Sequence, residues 1–408
     1  MAKPIIELHL YALLRSTLFE ASNEVFVGRN KESVAWPTIY RLAAEQGVLA
    51  LVWDGVQQAI RVQQTIRVQQ TIQHEGERKE GFEHELSAAE SGYLAHEQLP
   101  DRKLKLQWAF SVEQIEKRYR KQEARARELA AGFEEQGIHT HVLKGLAISD
   151  YYPRPEHREC GDLDCFLTLD PAKSHLHPEG AYEAGNLAAE AMGARVKRDY
   201  YKHSHIHFKG LMVENHQFCT AIRGRKERKA FEKHLQDLLH RSEPHYINGS
   251  KLIRPSADFN ALFLTVHSFQ HFLSEGIKLR HVLDWALLLK AEQEQIDWKE
   301  FYAWCDRMHF TKFVHALTAI AVEHLGLEIR CGEIVCESPY KDRVLDDILY
   351  YGRSIFNTKG STWQKRVTLV CSKLRSRWKL SELYGRSALG ELMCAVWGFF
   401  TERRPKLD

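Results

Sequence analysis

The apolar positions of the chain change their spacing twice. Over residues 5–60 they recur at helical intervals: Leu8, Leu10, Leu13 and Leu14, then Ile39, Leu42, Ala43 and Val48. Residues three and four apart share one face of a helix, so two or more helices are predicted there. Pro37 follows Trp36 and suits a first helical turn, where its missing N–H is not needed. Residues 101–136 predict one long charged helix. Ile115, Tyr119, Ala124, Leu129 and Phe133 run along one side, Lys and Glu dominate the other, and Gly137 stands ready to cap the end.

The pattern then shortens. Residues 140–143 and 164–168 predict strands bounded by turn residues, with a helix over 145–152 between them, stopped by Pro153 and Pro155. A helix over 186–193 and a hairpin over 200–217 follow. From about residue 226 the helical pattern resumes to the end. The expected fold class is α+β, a small mixed β-sheet core embedded in a mostly α-helical protein. The expected regions are an N-terminal helical one (1–136), the β-core (137–225) and a C-terminal helical one (226–408).

Two stretches fall outside this scheme. Ile60-Arg-Val-Gln-Gln-Thr recurs from Ile66 and begins again at Ile72. A period of six matches no solenoid unit, so it reads as a local duplication extending a surface helix or loop. Residues 74–91 are strongly polar and are expected to be exposed.

The hairpin fixes a register. A two-residue turn at Lys209-Gly210 pairs Phe208 with Leu211 and sets His205 opposite Glu214. His203, His205 and His207 then share a face with Met212, Glu214 and His216. Ile206, Phe208, Leu211 and Val213 form the opposite, buried face. Zinc on His203 and His205 is one reading of the polar face. A plain polar face opposite an apolar one is the other, and the commoner.

Candidate chemistry concentrates near residues 144–164. Asp162 and Asp164 stand two apart, so on a strand they face the same way and can hold one divalent cation or bridge two. Their oxygens suit Mg²⁺ or Mn²⁺. Lys144-Gly145 lies where a strand gives way to a helix. Backbone N–H groups there can meet a phosphate, glycine allows close approach and lysine adds charge. Neither pair is specific alone: Asp-x-Asp also occurs at solvated strand ends, and Lys-Gly in ordinary turns. Further along, His267 and His271, and Arg280 and Asp284, each stand four apart on helices. Their leading reading is a buried polar network tying two helices to the β-core, and the second is the lining of an acceptor or base pocket.

Composition narrows the field. With 57 basic and 54 acidic residues the net charge is +3, so the whole chain is not a polyanion binder. Nucleic acid is therefore not the expected partner, although the basic tail from Lys365 to Arg404, with Trp378, Tyr384, Trp397 and Phe399, keeps it in view. Ordinary packing is the commoner fate of such a tail. Eight cysteines without a CxxC pair fit neither a zinc ribbon nor a redox motif. The longest apolar run, Leu392 to Phe400, is too short to cross a bilayer, and the N-terminus lacks a signal core. A cytoplasmic protein with reduced thiols and no stable membrane insertion is expected.

The run from His141 to Leu167, including Leu143-Lys144-Gly145, Tyr152-Pro153, Arg158 and Asp162-Leu163-Asp164, resembles a bacterial family called the uncharacterised nucleotidyltransferases. That family is a branch of the polymerase-β-like superfamily. Val213-Glu-Asn-His216 is similar to the family's later strand, and the resemblance extends from the N-terminal helices to at least residue 290. It departs at Cys165, where the family usually has an aliphatic residue.

The resemblance implies a nucleotidyltransferase that moves an NMP group from an NTP to an acceptor hydroxyl by a two-metal mechanism. Asp162, Asp164 and Glu214 would be the catalytic, metal-holding carboxylates. Lys144, Gly145 and Arg158 would bind the nucleotide, with a structural salt bridge the competing role for Arg158. His205, His216, His267 and His271 are accessory candidates. Mg²⁺ or Mn²⁺ is the expected cofactor, and the acceptor is a small molecule, sugar or peptide. Two alternatives are a catalytically silent nucleotide-binding or regulatory module, and a metal-dependent phosphohydrolase using the His-rich hairpin.

Overall fold

A computed structural model describes residues 3–19, 34–77, 99–221, 226–241, 243–351 and 377–385, with residues 387 and 390. Helices α1 (Lys3–Leu18), α2 (Trp36–Gln46), α3 (Leu49–Glu77) and α4 (Arg102–Glu135) come first. Leu10, Leu13, Leu14, Ile39, Leu42, Ala43 and Val48 are all buried, as their spacing predicts, whereas Leu8 is exposed. The duplicated segment extends α3, and Pro37 lies in the first turn of α2. On α4 the buried line runs Ile115, Tyr119, Ala126, Leu129, Phe133. Ala124 is exposed and Ala126 takes the expected place, because seven residues are nearer two full turns than five.

The sheet follows. Its strands are β1 (Ile138–Val142), β2 (Leu163–Leu169), β3 (Arg195–Lys197), β4 (His203–Phe208), β5 (Leu211–His216), β6 (His245–Tyr246) and β7 (Leu252–Arg254). Their order is β3-β4-β5-β2-β1-β7-β6, with β2–β5 and β1–β7 parallel and the other pairs antiparallel. Short helices α5 (Leu146–Ser149) and α6 (Ala181–Ala191) interrupt it. The protein is therefore α+β, with a seven-stranded mixed sheet among helices. The helical expectation beyond residue 226 needs correction, because β6 and β7 extend the sheet on the far side of β1. Two- and three-residue strands are too short for alternation to reveal them.

Helices α7 (Lys226–Arg241), α8 (Ala257–Ser274), α9 (Leu279–Glu292), α10 (Trp298–Met308), α11 (Thr311–Leu325) and α12 (Lys341–Asp346) complete the described fold. Side-chain alternation divides the sheet between two cores. Val142, Cys165, Leu167, Ile206, Phe208, Leu211 and Val213 pack with Tyr119, Leu129 and Phe133 of α4 and Ala184 and Ala188 of α6. Phe166 joins a larger cluster built from α1–α3 and α8–α11. Polar positions of that second face, Asp164, Glu214 and His216, thus point towards the helical part. Trp378 and Tyr384 of the basic tail are buried against Phe272 and Phe269, which is packing. Trp397, Phe399, most of the polar stretch 74–91 and the run 392–400 lie outside the described residues.

The segment between β1 and β2 is pinned by an ionic cluster around a buried histidine. His157 is fully buried, with Nδ1 2.5 Å from Asp54 of α3 and Nε2 2.9 Å from Glu116 of α4. Arg154 also pairs with Glu116 at 2.9 Å. Burial opposes charge on the ring, but the two carboxylates outweigh it and raise the His157 pKa above 6.5. Burial likewise works against the Glu116 carboxylate, and His157 and Arg154 overcome it to lower its pKa below 4.5. A raised histidine contributes stability that is complete below its unfolded pKa and is lost as pH rises through the folded value. A lowered carboxylate loses its contribution as pH falls instead. The stability gap between the wild type and His157→Gln should therefore be widest between about pH 4.5 and 6.5 and shrink on the alkaline side. Urea midpoints from pH 5 to 9 would check this, and a gap independent of pH would refute it.

Candidate active site

Asp164 sits on β2 and its backbone partner across the parallel pair is Glu214 on β5. Partners in register project to the same side of a sheet, so the two carboxylates become neighbours. The hairpin that carries Glu214 has the expected register, with Phe208 opposite Leu211 and His205 opposite Glu214. Its turn residues Lys209 and Gly210 both have positive φ, 47° and 83°, as a tight two-residue turn requires.

Asp162 differs from the expectation in one respect. It lies immediately before β2 rather than on it, and its side chain remains 36% accessible whereas that of Asp164 is 1%. The two carboxylates still converge on one cation, the Lys144 ammonium, at 3.9 Å from Asp162 and 3.0 Å from Asp164. Lys144 thus pairs with the Asp set in this state. Gly145 follows it with φ 65° and ψ −108°, a conformation that glycine adopts without a steric penalty and that turns the chain sharply into α5.

Histidines complete the group. His216 Nδ1 donates to the Phe218 carbonyl at 3.0 Å, and Nε2 lies 3.2 Å from Asp164 Oδ1 and 3.5 Å from Glu214 Oε2. Both ring nitrogens face acceptors. Burial and the nearby Lys202 oppose the charge, yet Asp164 and Glu214 raise the His216 pKa. Burial would also raise the Asp164 pKa, but Lys144 and His216 hold it well below the usual carboxylate range. Asp162 goes the other way: burial and the adjacent Asp164 charge raise it. Glu214 is lowered against its burial, first by His216. Separated pKa values among neighbouring carboxyls make this group a candidate site.

His203, the register partner of His216, brings Nδ1 to 3.5 Å from the same Glu214 oxygen, Oε2, and His205 brings Nε2 to 3.9 Å from the other, Oε1. Burial pushes the His203 pKa down to about 4.

A cleft opens over Lys144, Gly145, Arg158 and Asp162 and is walled by His267, Arg280 and Asp284 of α8 and α9. Arg158 is buried and bidentate to Asp284, through Nε at 3.0 Å and Nη2 at 2.7 Å. Tyr152 donates to the same carboxylate at 2.7 Å, and Arg280 donates to the Glu159 carbonyl at 2.7 Å. The α9 pair therefore ties the helices to the β1–β2 segment. His267 keeps some accessible surface on the cleft side, and burial together with Lys144 holds it neutral, well below its ordinary pKa. Its partner His271, ring centroids 4.4 Å apart, instead hydrogen-bonds Glu275.

Sequence reading did not single out Asp199 or Lys202. Asp199 contacts His205 Nδ1 at 3.2 Å. Lys202 lies at the hairpin base, where its carbonyl receives the Gln217 N–H at 2.8 Å, and burial lowers its pKa despite the charges of Asp164 and Glu214. A basic residue adjoining a histidine-rich strand was the available signal.

Among the described residues no helix is long and apolar enough to cross a membrane. No curated protein and no solved structure matches the chain. A family model described as uncharacterised nucleotidyltransferase matches residues 32–326, which span α2 to the glycine capping α11, all seven strands and every residue of the cleft. The match covers well over half of the chain, assigns it general NTP-transferase chemistry, and shows that it belongs to the uncharacterised nucleotidyltransferase family.

Proposed function

We propose that the protein transfers an NMP group from an NTP to an acceptor hydroxyl, with Asp162, Asp164 and Glu214 holding divalent cations, Mg²⁺ or Mn²⁺. The observation that carries this reading is the gathering of Asp162, Asp164 and Glu214 about the Lys144 ammonium, whose charge all three stabilise. Asp164 and Glu214 are register partners, and Asp162 and Asp164 already share the positive charge of Lys144. The donor set fits the metals. Carboxylate oxygens are hard ligands, and the buried Asp164 Oδ2 is met among the described residues by the Lys144 ammonium at 3.0 Å, the place a metal ion would take. When bound, such cations neutralise charge developing on the transferred phosphate.

The chain's own groups have distinct tasks. His216 holds Asp164 ionised and oriented, Lys144 and Gly145 face the phosphates, and Arg158, locked by Asp284, forms the firm wall beside them. His267 lines the same cleft. The acceptor hydroxyl gives its proton to Glu214, its oxygen bonds the α-phosphorus, the α–β bridge P–O bond breaks, and pyrophosphate leaves. Positioning and fixed charge dominate such chemistry. The acceptor class is a small molecule, sugar or peptide.

Labelled NTPs incubated with the full-length protein and a cell extract should yield a nucleotidylated product in Mg²⁺ or Mn²⁺, and none with chelator. Metal-dependent NTP binding with no product under any condition would favour a silent binding module. Absence of both would overturn the reading.

A further inference from the structure

We propose that His203, His205 and Glu214 form a second divalent-metal site, of imidazole–carboxylate character and suited to Zn²⁺, beside the carboxylate site of Asp162 and Asp164. The potential ligand atoms of the three residues lie within 4.8 Å of one another. Glu214 Oε2 is 3.5 Å from His203 Nδ1 and Oε1 is 3.9 Å from His205 Nε2. In a tetrahedral site with bonds of about 2.0–2.1 Å, ligand atoms stand roughly 3.4 Å apart. The two gaps to Glu214, 3.5 and 3.9 Å, are within about 0.5 Å of that spacing.

Two further observations separate this arrangement from a plain polar sheet face. His203 Nδ1 is buried and no hydrogen bond satisfies it. Buried polar atoms in folded proteins nearly always have a partner, so an orphan aimed at a carboxylate calls for one. His205 has the converse feature: its Nδ1–H donates to Asp199 at 3.2 Å. A carboxylate only accepts, so in the neutral ring Nδ1 carries the proton and Nε2, 3.9 Å from Glu214, is the nitrogen with the lone pair, as in the carboxylate–histidine–metal arrangement that orients ligands at zinc sites.

Two imidazoles and one carboxylate favour a borderline metal over Mg²⁺, and three protein ligands leave a coordination position open. Glu214 belongs also to the group formed with Asp164 and His216, so the two sites adjoin and share one carboxylate. An oxygen of the acceptor, or of its phosphate, would fill the open position. The inference stands on the hairpin geometry and has only Glu214 in common with the nucleotidyl-transfer reading.

Co²⁺ is the probe, used on metal-stripped full-length protein without nucleotide. One equivalent should bind and give the intense visible absorption of a four- or five-coordinate ion. His203→Ala with His205→Ala should lose that absorption, and His205→Ala alone, at a half-exposed position, should lose it too if the double variant misfolds. Asp199→Asn should weaken Co²⁺ binding by about 10–100-fold, and Asp162→Asn should retain the spectrum. The same stoichiometry and spectrum in the histidine variants as in the wild type, or only the pale spectrum of hydrated Co²⁺ in the wild type, would overturn the site. The nucleotidyl-transfer reading is untouched by either result, because it fails only on metal-dependent NTP binding and turnover.

Discussion

Asp162→Asn is expected to abolish Mg²⁺-dependent NTP binding and to lower turnover by at least about 10²–10³-fold, the scale seen when one preorganised electrostatic group is removed, while leaving the fold intact. The second half of that expectation is what makes the variant informative. Asp162 stands before β2 with its side chain partly open to solvent, and among the described residues its ion-pair partner is Lys144 at 3.9 Å. Its pKa is raised by burial and by the Asp164 charge, so its ionised form is disfavoured in the folded protein. An acid with a raised folded pKa costs stability above its unfolded pKa, so the neutral amide should melt no earlier than the wild type at pH 7. Asp164→Asn is a harsher change. It removes the charge opposite Lys144 and His216 in a buried setting, where breaking one partner is strongly destabilising. Isothermal titration with MgNTP, beside a thermal melt, separates the two effects. Undiminished binding and turnover in Asp162→Asn would remove the metal-site assignment.

Asp284→Ala should give the largest loss of stability, about 3–5 kcal/mol, the cost of stranding a buried charge. Arg158 makes two hydrogen bonds to Asp284, both side chains are at most 6% accessible, and Tyr152 shares the same carboxylate. Removal leaves a buried guanidinium and a phenol without their shared carboxylate acceptor. The cleft wall formed by Arg158 and α9 would loosen with them, so NTP affinity should fall as well. Arg158→Met combined with Asp284→Leu, which removes both charges and keeps volume, should recover most of the stability but not the NTP affinity. A urea double-mutant cycle measures the coupling. Coupling near zero, or a loss under about 1 kcal/mol in Asp284→Ala, would show that the pair is not the clamp inferred from its geometry.

The contrast between these two carboxylates reflects what a linear sequence can encode. The hairpin register was legible because alternation has a period of two and the Lys209-Gly210 turn permits one pairing. That register alone sets Glu214 among imidazoles. The α4 face was legible at four of its five named positions, because helical periodicity is sampled repeatedly between Ile115 and Phe133. Asp-x-Asp marked the metal-site candidates through local spacing alone. The strands β3, β6 and β7 left too few residues for a pattern to emerge, and Asp199 had no local signal because its partner His205 lies across a turn.

By itself the sequence determined the α+β class, the hairpin, the family and, of the cleft lining, Lys144, Gly145, Arg158, Asp162, His267, Arg280 and Asp284. The tertiary structure decided which of them meet. Asp164 and Glu214 became neighbours through the parallel pairing of β2 with β5, a contact across fifty residues that no local periodicity specifies. Arg158 was drawn to Asp284, 126 residues away, because a buried guanidinium needs a buried acceptor and α9 supplies one. Lys144 was turned towards the Asp pair by the converging charge of the carboxylates. Local rules govern turns, faces and caps. Long-range pairing and the desolvation of charge settle which side chains share a site, and those depend on the whole chain folding at once.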